Sequence, residues 1–275
     1  MAIKAADVSK LRKMTGAGMM DCKKALTETD GDFDAAVEII RKKGQAMASK
    51  RADRETTEGC TLAKVSADAK KGAVLILKCE TDFVGKNESF VALTDSILEV
   101  ALNSDAATKE DILELELNGV AIKDVITEQI GVIGEKIEIE DYAVVSAETV
   151  VPYIHPGNQL SVIVGFNQAD FEEQAGKDVA MQVAAMAPVG VDKDSVPAEI
   201  VEQELRIGRE KAKEEGKPEA MLDKIAQGRL GKFFKESTLL EQDFVKDNKK
   251  SIKQYLNETS KDLTVTEFKR FALGN

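Results

Sequence analysis

Ala73-Val74-Leu75-Ile76-Leu77-Lys78-Cys79 is an apolar, partly β-branched run that reads as a buried strand. Thr81-Asp82-Phe83-Val84-Gly85-Lys86-Asn87 follows directly, and beyond it Phe90, Val91, Thr94, Ile97, Leu98 and Ala101 fall on one face of a helical pattern. The chain must therefore pass from strand to helix through a corner that holds an acid beside a large aromatic. Gly85 gives that corner backbone freedom, and Asn87 suits a helix cap. Adjacent side chains there cannot both enter the core, so one of Asp82 and Phe83 is presented outward, as a probe for another molecule. From the pattern alone, a turn-capping Asp82 and a core Phe83 are also consistent.

A second motif lies about sixty residues upstream: Leu11-Arg12-Lys13-Met14-Thr15-Gly16-Ala17-Gly18-Met19-Met20-Asp21-Cys22-Lys23-Lys24-Ala25-Leu26. Together the two resemble the signatures of the bacterial elongation factor Ts family, the nucleotide-exchange factors of elongation factor Tu. The resemblance runs from about residue 3 to about residue 272. It implies that Thr81, Asp82, Phe83 and Val84 insert beside the partner's magnesium- and phosphate-binding elements. It implies further partner contacts at Arg12, Met19, Met20 and Lys23 around the turn that opens the second helix, at Ile133 and Gly134 before Glu135, at His155, and at Phe244 and Val245. Lys246 departs from the apolar neighbour seen in relatives. A further C-terminal helix that some relatives use against the partner has no counterpart here. Residue chemistry leaves other roles open: one of Met19 and Met20, rather Met20, suits the core, and His155 suits an ordinary surface loop.

The expected fold class is α+β. Residues 1–45 read as a three-helix bundle: a first helix over 5–14 with Val8 and Leu11 inward, a second over 19–29, and a third capped by Asp32 and ending at Gly44, burying Phe33, Ala36, Val37 and Ile40. The resemblance implies a ubiquitin-associated (UBA-like) fold for it. Residues 46–59 lack an apolar stripe and read as a linker, in part helical. Residues 60–145 form the N-terminal half of the core, with strands 60–66 and 73–79 about a loop at 68–72, helices at 86–102, 109–117 and 120–131, and a strand at 135–145. Residues 146–196 and 237–275 form a second α+β subdomain. It has strands 150–154 and 160–166, helices 171–186 and 248–258, and a final strand over 263–271. Asp170-Phe171 follows a strand and precedes a helix as Asp82-Phe83 does. This points to an internal duplication in which only the first copy keeps the functional tail. Residues 197–236 read as an antiparallel helical hairpin, broken at Gly216-Lys217-Pro218; the family has a coiled coil there. Its surplus apolar residues suit a second molecule, including a second copy of the chain.

Composition narrows the function. Net charge is −11, which disfavours direct binding of nucleic acid through its phosphates. Residues 1–58 hold 12 Lys and Arg against 10 Asp and Glu, whereas the rest hold 26 against 39; a basic head on an acidic body suits a protein partner with its own charge pattern. Cys22, Cys60 and Cys79 are widely spaced and odd in number, as expected of reduced thiols in a cytoplasmic protein. No apolar run reaches 18 residues and no signal-peptide core opens the chain, so no membrane association is expected. The one histidine and scattered cysteines give no catalytic or metal-binding set, and Gly16-x-Gly18 lacks the order of a phosphate loop. Neither enzymatic activity nor a cofactor is expected. Two other classes remain as competitors: a binding adaptor built on the N-terminal bundle, and a hydrolase using Glu80 and Asp82 as an acid/base pair.

Overall fold

A computed structural model describes residues 3–274. Met1 and Ala2, which belong to the expected bundle and to the reading of the N-terminus, lie outside the described residues, as does Asn275.

Three helices open the chain: α1 (Ala5–Thr15), α2 (Met19–Glu28) and α3 (Phe33–Arg51). Val8 and Leu11 of α1, Cys22, Ala25 and Leu26 of α2, and Ala36 of α3 form their shared core. Gly16 ends α1 in the left-handed conformation, at φ 70°, which only glycine adopts without penalty. Asp32 caps α3 by accepting the Ala35 N–H at 3.1 Å.

The third helix does not stop at Gly44. It runs on to Arg51, through residues read as linker, and its last turns place Met47 and Ala48 on the next core. Gly44 serves a helix crossing instead. A Cβ built on Gly131, in a later helix, would lie 2.7 Å from the Gly44 Cα. Two glycines thus let two backbones touch.

The first sheet follows. Strands β1 (Glu58–Val65), β2 (Lys71–Cys79) and β5 (Glu138–Ser146) are antiparallel in the order β1-β2-β5. Between β2 and β5 come α4 (Asp82–Gly85), α5 (Glu88–Leu102), α6 (Lys109–Glu114), the short strands β3 (Glu116–Leu117) and β4 (Val120–Ala121), and α7 (Ile122–Ile133). Ala73, Leu75, Leu77 and Cys79 of β2 face the helices and meet Phe90, Ile97 and Leu98 of α5 and Ile122, Ile126 and Ile130 of α7. Val74, on the opposite face of β2, packs on the second sheet. Burial on both faces explains why the run lacks polar alternation.

The second sheet has the same plan. Strands β6 (Thr149–Ile154), β7 (Leu160–Phe166) and β10 (Val265–Ala272) are antiparallel with β7 central. Helix α8 (Glu173–Met186) follows β7 as α5 follows β2. Next come α9 (Ala198–Glu214), α10 (Glu219–Ser237), β8 (Asp243–Phe244), β9 (Asp247–Ser251) and α11 (Ile252–Thr259) before the third strand closes the sheet. Residues 248–251, read as helix, are thus strand. Val162, Val164 and Phe166 pack with Val179 and Val183 of α8. The two sheets meet through Ala63, Val74 and Val145 on one side and Val150 and Ile163 on the other.

Helices α9 and α10 pair antiparallel about the left-handed Gly216. A Cβ on Gly208 would come 3.2 Å from the Ala226 Cα, so this seam is close. Arg229 binds Glu215 at 2.7 Å, and Arg209 binds Asp223 at 2.8 Å and Glu219 at 3.2 Å, across the pair.

Candidate functional site

At the end of β2 the chain leaves the sheet through Glu80 and Thr81 and turns at once into α4. Thr81 is the N-cap, its hydroxyl facing the Val84 N–H at 3.5 Å. Asn87 caps α5 through its side chain, 2.9 Å from the Ser89 N–H. Val84 packs on the first core. Gly85 is buried against β1: an added Cβ would lie 2.7 Å from the Gly59 carbonyl oxygen. Its φ is ordinary, so this glycine gives close approach rather than backbone freedom. With both flanks anchored, Phe83 has one direction left, and it is 83% exposed. Asp82 sits at its side and accepts a hydrogen bond from Lys86 Nζ at 2.7 Å, which holds its carboxyl below the usual carboxylate value.

A second segment braces this corner. Helix α7 ends at Gly134, which is left-handed at φ 81° and donates its N–H to the Ile130 carbonyl. Glu135, next in the chain, accepts the N–H groups of Glu80 and Thr81 and the hydroxyl of Thr81 at 3.1, 3.0 and 2.6 Å. Glu80 in turn accepts the Lys136 N–H at 2.6 Å and pairs with Arg51 Nη1 at 2.7 Å. Burial pushes the Glu80 carboxyl up, but those two donors outweigh it, and the group sits below its usual value. An acid/base pair for hydrolysis would need one raised carboxyl; Glu80 and Asp82 are both lowered, Glu80 by the Lys136 amide and Arg51, Asp82 by Lys86. The neighbouring thiol of Cys79 is pushed up to about 12 by burial, and Cys60 to about 11, so both are poor nucleophiles.

The bundle joins the same surface. A Cβ on Gly16 would touch Val132 in the last turn of α7 at 3.7 Å. Arg41 of α3 binds Glu128 of α7 at 2.7 Å. The turn between α1 and α2 therefore lies beside the last turn of α7, and Glu135, just beyond that turn, binds Thr81. Around that turn Arg12 and Lys23 are exposed. Met19 and Met20 are 46% and 74% exposed, so neither is core and the expectation for Met20 is corrected: Cys22, Ala25 and Leu26 already fill the inward face of α2. Met14, at 56%, adds a third exposed methionine. His155 lies in the exposed loop between β6 and β7, with its Nδ1 2.9 Å from the Tyr153 hydroxyl. Asn158 of that loop shares a groove with Lys86 and Glu88, which brings the loop beside the aromatic corner.

Phe244 and Val245 divide. Phe244 is 4% exposed and stacks on Tyr255 with ring centroids 4.4 Å apart. Its ring belongs to the second core, and Val245, 50% exposed, is the outward member. The buried Gln182 fixes the segment by accepting the Val245 N–H at 3.0 Å and donating to the Asp243 carbonyl at 3.2 Å. Lys246 turns back to the buried Asp178 at 2.7 Å, which also accepts from the Tyr255 hydroxyl. In the second subdomain Phe171, counterpart of Phe83, folds onto Phe166 with centroids 4.9 Å apart.

The geometry thus links three stretches of chain: the Met-rich turn packs on the end of α7, and the Ile133–Glu135 corner that follows binds the start of the turn that presents Phe83. Among the described residues no group of acids, histidines and cysteines could hold a metal, and no helix is long and apolar enough to cross a membrane. Sequence reasoning missed the bracing by Arg51, and it left Glu80 as a solvated turn acid or half of a competing acid/base pair, not as scaffold. The one available clue was that Glu135 directly follows the Gly134 corner.

Comparison with known proteins places the chain within one family. The family described as Elongation factor TS matches residues 80–275. The chain is 55% identical to the elongation factor Ts of Amoebophilus asiaticus over 276 residues, covering 100% of each. It is 55% identical to that of Porphyromonas gingivalis, covering 100% of this chain and 99% of the relative. Against that of Christiangramia forsetii it is 49% identical, with 99% of each covered.

Proposed function

This chain belongs to the elongation factor Ts family, a family of translation elongation factors whose partner is elongation factor Tu, and from that premise we propose that it is a guanine-nucleotide exchange factor. The observation that supports this reading is the outward, braced Phe83 inside the Thr81–Val84 motif. Bound GDP is held in such partners by Mg²⁺ and by a loop of backbone N–H groups. Burying Phe83 between partner elements supplies about 1.5–3 kcal/mol, enough for roughly one to two powers of ten in an equilibrium. Asp82 competes for the polar groups and waters near Mg²⁺. Neither side chain makes or breaks a bond, so the factor is not an enzyme in this reading. It binds the nucleotide-free or metal-depleted partner better than the GDP-bound one, and by reciprocity lowers nucleotide affinity by the same factor. GDP leaves, GTP enters and the factor is released.

Arg12, Met19, Met20 and Lys23 then dock on the nucleotide domain of the partner. Ile133, Gly134 and His155 extend that contact, and Val245 supplies one from the second subdomain. We read the bundle as UBA-like and the α9–α10 pair as a coiled coil. The half-buried Leu230, Phe233 and Phe234 of α10 suit a homodimer. This role belongs to the cytoplasm, where three buried free thiols stay reduced.

Stopped-flow release of fluorescent GDP from elongation factor Tu tests the reading. Wild-type factor accelerates release, and Phe83→Ala or Asp82→Ala loses most of that acceleration while folding normally. An adaptor would bind the partner with no change in release. Full acceleration by the double variant would remove the assigned role of this turn.

A further inference from the structure

Resting on the exchange reading, we propose that Glu135 is a positioning residue for nucleotide release, which aims Phe83 by locking the end of β2 to the corner after α7. Helix α4 spans four residues, too few to hold its own direction. Its threonine cap is long, at 3.5 Å. The aim of Phe83 is therefore set where the chain leaves the sheet. Pairing between β2 and β5 ends at Lys78 and Glu138, so the next amides need other acceptors. Both go to one oxygen of Glu135, Glu80 N at 3.1 Å and Thr81 N at 3.0 Å, while the other oxygen takes the Thr81 hydroxyl at 2.6 Å. Glu80 answers by accepting the Lys136 N–H at 2.6 Å. Each carboxylate thus accepts a backbone amide from the other's segment.

Arg51 is the last residue of α3, and its bond to Glu80 ties the bundle to this lock. The lock therefore fixes where Phe83 points and how far it stands from the methionine turn. The core beneath is built from apolar side chains, Leu77, Cys79, Phe90, Ile130 and Ile137 among them. Loss of Glu135 should free the turn and spare the fold.

The test measures GDP release from elongation factor Tu across rising concentrations of full-length factor, which separates the maximum rate from the half-saturating concentration. Glu135→Ala should lower the maximum rate about tenfold and move half-saturation less than about twofold. Glu135→Gln should restore most of the rate: its carbonyl can accept both amides and its NH₂ can donate to the Thr81 hydroxyl. In a Phe83→Ala background, Glu135→Ala should cost nothing more, because an absent ring cannot be misaimed. An unchanged maximum rate in Glu135→Ala would overturn the proposal, as would a Gln variant as impaired as the Ala variant, or an equal further loss in the Phe83→Ala background. Should Glu135→Ala fail to fold, Thr81→Val removes the hydroxyl's bond to Glu135 together with its long 3.5 Å contact to the Val84 N–H, at nearly constant shape, and the same tests apply with a loss of about threefold. If Phe83→Ala by itself releases GDP as fast as wild type, the exchange reading fails, which is a separate outcome.

Discussion

Phe83 is 83% exposed while Val84 and Gly85 beside it are packed against the fold. Phe83→Ala should therefore change stability by less than about 0.5 kcal/mol in urea unfolding, however much exchange it removes. Gly85→Ala should do the reverse. Its methyl would meet the Gly59 carbonyl at 2.7 Å, and moving the turn off β1 should cost about 1–3 kcal/mol. Ala187 ends α8 in the left-handed region at φ 43°. That conformation costs an alanine about 1–2 kcal/mol, and glycine loses about 0.4–1 kcal/mol more entropy on folding. Ala187→Gly should thus gain up to about 1.6 kcal/mol, visible as a raised urea midpoint. Glu80 offers a pH test. Its folded pKa lies below the ordinary 4.5, so its contribution is present above that value and is lost as pH falls through the folded one. Glu80→Gln should flatten the fall in stability on the acid side of about pH 4.5, measured as urea midpoints from pH 6 downward. An unchanged acid limb would mean that neither the Lys136 amide nor the Arg51 pair stabilises the ionised Glu80.

At the scale of elements, α3 shows how one residue type carries two meanings. Gly44 read as a stop because glycine so often ends helices. Here its missing Cβ admits the Gly131 backbone, and the helix continues to deliver Arg51 to Glu80. Gly131→Ala would place a methyl 2.7 Å from the Gly44 Cα and push the helices apart. We expect a loss of about 1–3 kcal/mol and faster proteolysis between α3 and β1, with the far subdomain unaffected. Other elements were legible because their rules are local. Asp32 and Asn87 cap as their chemistry suggests, and β2 reads as buried since both its faces are apolar. Residues 248–251 were not legible: they became β9 by pairing with β8, and that pairing is invisible in a four-residue window.

At the scale of the molecule, two three-stranded sheets of one topology share an apolar seam through Val74, Val145, Val150 and Ile163. Ile163 is fully buried there, so Ile163→Ala should cost about 2–5 kcal/mol. Because the seam joins the sheets, that variant should also split a single thermal transition into two, as followed by calorimetry; one sharp transition at lowered Tm would show that the sheets do not depend on this seam for their cooperativity. For the helical hairpin, sedimentation velocity over a range of concentrations tests the homodimer; a monomer throughout would leave the half-buried Leu230, Phe233 and Phe234 of α10 to another partner.

The sequence by itself determined the strand–turn–helix corner, the capping residues, the inward faces of α1 and α3 and the family, since each depends on residues near in the chain or on motifs. It also limited the outward residue at the corner to Asp82 or Phe83. Tertiary structure decided the rest. It turned Phe83 out yet folded Phe171 back, buried Phe244 and exposed Met20. It also set Gly16 against Val132 and brought Arg51 and Glu135 to Glu80. The physical reason is that these choices are settled by which distant backbone or side chain already occupies the space. Glu135 supplies acceptors to amides more than fifty residues earlier, a relation with no trace in local periodicity.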